Sequence, residues 1–196
     1  MPFGAHETME VHESLNEKIN TINHFSLYAQ QAQHPAVRAL VERHLQTAIQ
    51  SYNQLVAYTH NYQAASQGGG TNHPTGNISN TSYQNIQYGL RHPAPIAPQA
   101  AGIFNDQQIL SSLLICHKNG AKNSMSASLE CADPNIRQML IHCALDANNG
   151  AYEVFFLMNE QGQYQVPTLN DHTAKTFLHT FQPAPNAPNQ QAAYHQ

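Results

Sequence analysis

An internal repeat is the feature of this 196-residue chain that most restricts its fold. The stretch HPAVRALVERHLQTA at residues 34–48 resembles DPNIRQMLIHCALDA at residues 133–147. Each copy opens on an X-Pro pair, which ends one helix and is well accepted in the first turn of the next. Each copy also places an arginine, Arg38 or Arg137, at the same position after the proline. The repeat therefore predicts two similar helical hairpins.

Apolar residues recur at helical spacing on both sides of each X-Pro pair. Asn105 and Gln108 form a capping-box pattern at the start of the third helix, and Gly162 provides a C-cap after the fourth. A weaker pattern predicts a short extra helix near the C-terminus. The predicted helices span residues 7–33, 35–63, 105–132, 134–161 and 168–181.

Residues 64–104 contain the triplet Gly68–Gly70 and the proline-rich run at 93–98, which exclude a helix. Because each hairpin alone is too small to bury its apolar face, this segment is predicted to be a crossover loop inside one bundle. The predicted fold class is all-α: a ferritin-like four-helix bundle made of two helical hairpins joined by a long crossover. This single domain covers residues 1–182, and residues 183–196 are expected to form a flexible tail.

The chain carries few charges, and this restricts its partners. Charged residues make up 10% of the sequence, so little like-charge repulsion opposes packing against other copies. A net charge of -4 without a basic cluster argues against nucleic acid as a partner. No apolar run approaches the roughly 20 residues of a membrane span, and the N-terminus lacks a signal-peptide pattern. We therefore expect an intracellular protein with no membrane span.

Metal-binding bundles of the ferritin type place Glu and Glu-x-x-His ligands toward their centre. No Glu-x-x-His occurs in this sequence. The first helix does carry a polar stripe, but it lies on the side opposite the apolar stripe and is expected to face outward. That stripe consists of His6, Glu10, Glu13, Glu17 and His24.

His44 and Cys143 are the candidates for metal ligands inside the bundle, because the repeat puts them at equivalent positions on the apolar sides of two helices. No carboxylate is expected beside them, since Asp146 and Glu153 fall well away from the apolar stripe of the fourth helix. A buried, hydrogen-bonded histidine near a thiol is therefore favoured over a metal site. The sequence thus predicts no bound metal and no other cofactor.

No catalytic residue is predicted either. Cys116, Cys131 and Cys143 lack CxxC spacing and are interpreted as small buried residues. Cys116 is followed by His117, but consecutive residues on a helix diverge by about 100°, so this adjacency does not activate the thiol. No G-x-S-x-G motif occurs. The prediction is a protein that is not an enzyme.

Residues 104–140, followed by FFLMNEQGQYQVP at 155–167, resemble the Coat F family of spore-forming bacteria. The shared pattern comprises an N-D start, an ILxxLL run, the turn Glu130–Pro134, Arg137 and the segment Met158–Tyr164. Gln163 departs from the pattern, because family members commonly have an aromatic residue before the tyrosine.

The resemblance implies a ferritin-like fold, synthesis in the mother-cell cytoplasm during sporulation and incorporation into the spore coat. We therefore predict a structural protein that forms homo-oligomers and packs against itself and other coat proteins. The alternative is a ferritin-like metal-binding oxidoreductase similar to manganese catalase. A third hypothesis is an adaptor that binds one partner through the crossover.

Overall fold

The structure is a computed structural model that describes residues 4–60, 86–92 and 102–183. Within these residues it contains helices and no strand, so the predicted all-α fold with two helical hairpins is confirmed. Most of the predicted crossover and nearly all of the predicted tail lie outside the described residues. The helices are α1 Ala5–Gln31, α2 Pro35–His60, α3 Asp106–Glu130, α4 Pro134–Glu160 and α5 Asp171–Leu178.

Local signals in the sequence account for the ends of α3 and α4. The Asn105 side chain accepts from the Gln108 amide at 2.9 Å, and the Gln108 side chain accepts from the Asn105 amide at 2.9 Å, which completes the capping box. The Asp133 carboxylate caps α4 by accepting from the amide of Asn135 at 2.7 Å. Gly162, at φ 76°, follows α4 in the left-handed conformation that terminates helices.

The two hairpins pack side by side, with α1 against α3 and α2 against α4. The turn between α1 and α2 lies beside the start of α3, because the Asp106 carboxylate accepts from the amides of Gln33 at 2.9 Å and His34 at 3.0 Å. At the other end, the Tyr58 hydroxyl of α2 donates to the Asp133 carboxylate at 2.9 Å. Consequently α2 and α3 run parallel, which requires a connection that travels the length of the bundle.

The repeated arginines close the two hairpin turns in the same way. Arg38 donates from Nη2 to the carbonyl of Ala32 at 2.6 Å. Arg137 donates from Nη1 to the carbonyl of Cys131 at 3.4 Å. In each case the acceptor belongs to the residue that follows the preceding helix, where carbonyls lack partners within the helix. The internal repeat therefore encodes a repeated turn.

Asn159, at the end of α4, holds part of the crossover against the bundle. Its side chain is buried, accepts from the Gln87 amide at 2.9 Å and donates to the carbonyls of Gln87 at 3.0 Å and Tyr164 at 2.9 Å. Gly89 also donates to the Val166 carbonyl at 2.9 Å. The segment after α4 thus anchors residues 86–92.

No helix within the described residues combines the length and the apolarity that crossing a bilayer requires.

Candidate functional site

The apolar core is divided into two clusters, one toward each end of the bundle. Phe25 and Leu113 belong to the cluster near the α1–α2 turn, whereas Leu55 and Ile136 belong to the cluster near the α3–α4 turn. Between the clusters lies a cavity of about 330 Å³ that all four long helices line. Its lining includes polar side chains from all four helices, among them Lys18, His44, His117 and Glu153.

Small residues create the space in the central layer. Ala48 of α2, Gly120 of α3, and Ala147 and Gly150 of α4 all line the cavity. Large apolar side chains at these positions would fill the space between the helices, as they do toward the two ends of the bundle. The sequence therefore leaves a gap in the middle of its core.

His44 is buried in the bundle and makes two side-chain contacts. Its Nε2 lies 3.2 Å from Glu153 Oε2, and its Nδ1 lies 2.9 Å from Nε2 of His117. Arg43, one residue earlier, donates to the same carboxylate oxygen of Glu153. The prediction that no carboxylate lies beside His44 is wrong. Glu153 lies outside the apolar stripe of α4. Its long side chain nevertheless reaches His44 across the contact between α2 and α4.

The surroundings fix the charges of this cluster. The hydrogen bond from His44, followed by that from Arg43, lowers the pKa of Glu153 to about 2. Burial, followed by the proximity of His44, lowers the pKa of His117 to about 3. At neutral pH, Glu153 is therefore a carboxylate and His117 a neutral imidazole. With His44 protonated on Nε2 and His117 on Nε2, every one of these contacts is a donor–acceptor pair.

Gly150 makes room for His117. A Cβ atom built at Gly150 would lie 2.5 Å from Cε1 and 2.8 Å from Nδ1 of the imidazole. Because real Cβ contacts are not this short, any other residue at position 150 would displace His117 from His44. The glycine thus sets the position of the imidazole.

Cys143 belongs to a second polar network in the same cavity. Its Sγ lies 3.1 Å from the Oγ of Ser51, and Lys18 donates from Nζ to that Oγ at 2.7 Å. His44 and Cys143, the two predicted candidates, therefore line one cavity but bind different partners. Among the residues that the structure describes, no three His, Cys, Asp or Glu side chains are placed to hold a metal ion.

The other two cysteines are held by local contacts. Cys116 also lines the cavity, 3.5 Å from the Thr21 hydroxyl, and burial raises the pKa of its thiol. Cys131 donates to the carbonyl of Ala127 at 3.3 Å, and burial raises its pKa to about 11. Both thiols are therefore protonated at neutral pH, which leaves them weak nucleophiles.

The polar stripe on α1 is divided between solvent and the cavity. His6, Glu13 and His24 are exposed, whereas Glu10 is half-buried. Glu17 is half-buried as well, lines the cavity and accepts from the amide group of Asn123 at 3.0 Å. One member of the stripe thus faces the cavity, and the expectation that the whole stripe faces outward is wrong for Glu17.

Sequence reasoning missed His117 and Glu153 as members of the site. For His117 a signal existed, because it follows Leu113 and Leu114 by four and three residues and so continues the buried stripe of α3. Gly150, inside a helix without an evident turn, was a further signal of close packing. For Glu153 no signal existed, since its contact depends on how α2 and α4 are staggered.

Comparisons with known proteins agree with the resemblance read from the sequence. Residues 105–167 match the model of the Coat F domain. The spore coat protein F-like protein YhcQ of Bacillus subtilis (strain 168) is 24% identical over 182 residues, which cover 92% of this chain and 81% of that protein. The predicted resemblance to a spore coat protein family is therefore confirmed.

A solved structure has a similar fold. The crystal structure of a proposed spore coat protein from Bacillus halodurans C-125 superposes with a TM-score of 0.62 and covers 87% of this chain and 97% of that one. At 15% sequence identity, this likeness shows a shared fold alone.

Proposed function

We propose that this chain, which carries a Coat F domain at residues 105–167, is a structural protein of the spore coat that associates with itself and with other coat proteins. One observation carries the proposal of self-association. The segment after α4 exposes large apolar side chains that the bundle does not cover. In a weakly charged chain, such side chains are a surface for contact between protein molecules.

The exposed segment after α4 contains several large apolar residues. Helix α5 buries none of its residues, although it has apolar side chains on one side. In a monomer these side chains stay in contact with water, whereas full burial of each one in an interface stabilises by about 1.5–3 kcal/mol. Leu169, Phe177, Leu178 and Phe181 are 67–81% exposed.

The place of action is part of the same proposal. Synthesis in the mother-cell cytoplasm followed by incorporation into the coat is supported by the Coat F match and by the coat-related name of the Bacillus subtilis relative. A passive role without catalysis is supported by the central layer, where His44 is bonded to both His117 and Glu153. A ferritin-like relationship is supported by the parallel arrangement of α2 and α3.

Sedimentation velocity of the purified chain over a wide concentration range tests self-association. We expect oligomers for the unaltered protein and a shift to monomer for the double variant Phe177→Ser with Phe181→Ser. Leu145→Ser is the matched control, because Leu145 is an exposed apolar residue on α4, away from α5. A monomeric unaltered protein, or equal assembly of the double variant, would contradict the proposal.

A metal-binding oxidoreductase is the second candidate, and the cluster of His44, His117 and Glu153 favours it. Imidazole and carboxylate are ligands of iron and manganese. Elemental analysis of the purified chain separates the two candidates. We expect no stoichiometric metal, because His117 and Glu153 are bonded to His44 on opposite sides of its ring and do not converge on a common point. One bound manganese or iron per chain would favour the oxidoreductase.

A further inference from the structure

Each helical hairpin has an apolar side that the other hairpin covers. Phe25 of the first hairpin (α1 and α2) and Leu113 of the second hairpin (α3 and α4) belong to one core cluster. Leu55 of the first hairpin and Ile136 of the second belong to the other cluster. If the two hairpins separated, both apolar sides would be exposed to water, and packing against a matching hairpin would bury them again.

The contact between the hairpins is the weaker contact of the bundle. The helices pack more extensively within each hairpin than between the hairpins. In addition, the central cavity of about 330 Å³ lies where the four long helices meet, and a void of this kind removes packing contacts from the helices around it. Separation of the hairpins therefore costs less than it would in a fully packed bundle.

Directional bonds at both ends of the bundle fix how one hairpin sits on the other. The Asp106 carboxylate of the second hairpin accepts from the amides of Gln33 and His34 in the first hairpin. At the opposite end, the buried Glu7 carboxylate of the first hairpin accepts from the amide of Asp133 in the second. Each hairpin thus recognises its partner in one register, and the matching hairpin of another copy offers the same groups.

The connection between the hairpins is long enough to reach a neighbouring copy. Helix α2 ends at His60, and the chain is next anchored where the Gln87 amide donates to Asn159, at the opposite end of the bundle. The 27 residues of α4 make the bundle about 40 Å long. The 25 residues from 61 to 85 can span up to about 80 Å. The connection therefore does not oblige the two hairpins of one chain to pack with each other.

We propose that, in the assembled protein, the α1–α2 hairpin of one copy packs against the α3–α4 hairpin of a second copy. This inference rests on the self-association proposed above, because contacts through the segment after α4 first bring the copies together. The exchange then retains every contact between the hairpins, since the same residues meet in the same register. Copies that have exchanged hairpins are joined through the bundle core as well as through exposed side chains.

A disulfide between the hairpins tests which chain supplies each of them. The Oγ1 of Thr21 on α1 lies 3.5 Å from the Sγ of Cys116 on α3, so Thr21→Cys places two thiols close enough to form a disulfide. The full-length variant is assembled, oxidised, and separated by electrophoresis without reductant. We expect covalent dimers or larger species to form the majority of the disulfide-bonded protein, and peptide mapping should identify position 21 joined to Cys116.

Gly120→Cys combined with Ala147→Cys is the matched control, because both positions belong to the second hairpin. A Cβ at position 120 would lie 3.7 Å from the Cβ of Ala147, which is within the range of about 3.5–4.5 Å found in disulfides. This disulfide should form within one chain, whether or not the hairpins exchange. Adding Phe177→Ser and Phe181→Ser to Thr21→Cys should also return its disulfide to single chains, because that protein should not assemble.

A second pair of positions serves if Thr21→Cys does not fold or oxidise. The Oγ of Ser51 on α2 lies 3.1 Å from the Sγ of Cys143 on α4, so Ser51→Cys offers the same test between the other two helices. Disulfides found only within single chains, in a sample that sedimentation shows to be oligomeric, would overturn the exchange and leave the proposed self-association standing. An unaltered protein that stays monomeric in sedimentation would contradict the self-association itself, and the exchange with it.

Discussion

At the scale of single residues, Gly150 and His117 show how one missing side chain shapes the core. The imidazole of His117 occupies the place that a Cβ at position 150 would need. This pair explains why a helix interior contains a glycine at a cost of about 1 kcal/mol relative to alanine. At position 150, room for the imidazole of His117 therefore matters more than helix propensity.

Gly150→Ala should therefore destabilise the bundle by about 1–3 kcal/mol, because the added methyl group displaces His117 from His44. Gly120→Ala is the control within the same cavity, since its Cβ would meet that of Ala147 at an ordinary 3.7 Å. That change should stabilise by up to about 1 kcal/mol through helix propensity. Urea unfolding measures both, and equal effects of the two variants would refute the role assigned to Gly150.

His117 and Glu153 also predict how stability depends on pH. The pKa of His117 is about 3 in the fold against its usual 6.5, so the unfolded chain takes up this proton first. The contribution of His117 is complete above about pH 6.5 and falls as the pH decreases toward 3. The pKa of Glu153 is lowered from 4.5 to about 2, so its contribution is lost over that lower range.

The change at His117 alone should thus lower the free energy of unfolding by on the order of a few kcal/mol between pH 6.5 and pH 3. His117→Gln should flatten this slope, because glutamine does not titrate. His172→Gln, at an exposed position of α5, should leave the slope unchanged. Urea titrations at a series of pH values measure the effect, and an unaltered slope in His117→Gln would contradict the assignment.

At the scale of elements, helix ends were predictable because their signals are local. The capping box of Asn105 with Gln108 and the Asp-Pro start of α4 lie within a few residues of the backbone groups that they satisfy. Contacts between helices were not predictable in the same way. The bond from His44 to Glu153 depends on the stagger of two helices more than a hundred residues apart along the chain.

Asp133 makes both a local capping bond and a bond between helices, so its substitution should affect stability. Its carboxylate caps α4 and also accepts from the Tyr58 hydroxyl of α2. Asp133→Ala should lower the free energy of unfolding by about 1–3 kcal/mol. Asn170→Ala removes the cap of α5, which buries no residue, and should leave bundle unfolding unchanged. Circular dichroism during urea unfolding measures both, and a neutral Asp133→Ala would contradict this account.

At the scale of the whole molecule, the sequence predicted the architecture better than the interior. The repeat at the two X-Pro pairs and the long segment between them indicated two hairpins in one bundle. The polar central layer was missed because periodicity reports which side of a helix is buried, but not which layers contain large residues. Ala48 and Ala147 look like ordinary core residues until their neighbours across the bundle are known.

Assembly through these apolar contacts should respond little to salt. Since the proposed contacts are apolar and the chain carries a net charge of only -4, screening of charges removes little attraction. Raising sodium chloride from about 0.1 M to about 1 M, where the Debye length falls from about 10 Å to about 3 Å, should leave the oligomers intact or enlarge them. Sedimentation velocity measures this, and dissociation at high salt would indicate an interface held by ion pairs.

The most direct test of the central claim is the location of the protein in a sporulating cell. Immunogold labelling of thin sections should place the chain in the mother-cell cytoplasm early in sporulation and in the outer protein layers of the finished spore. Labelling that stays in the mother-cell cytoplasm, with none on mature spores, would contradict a structural role in the coat.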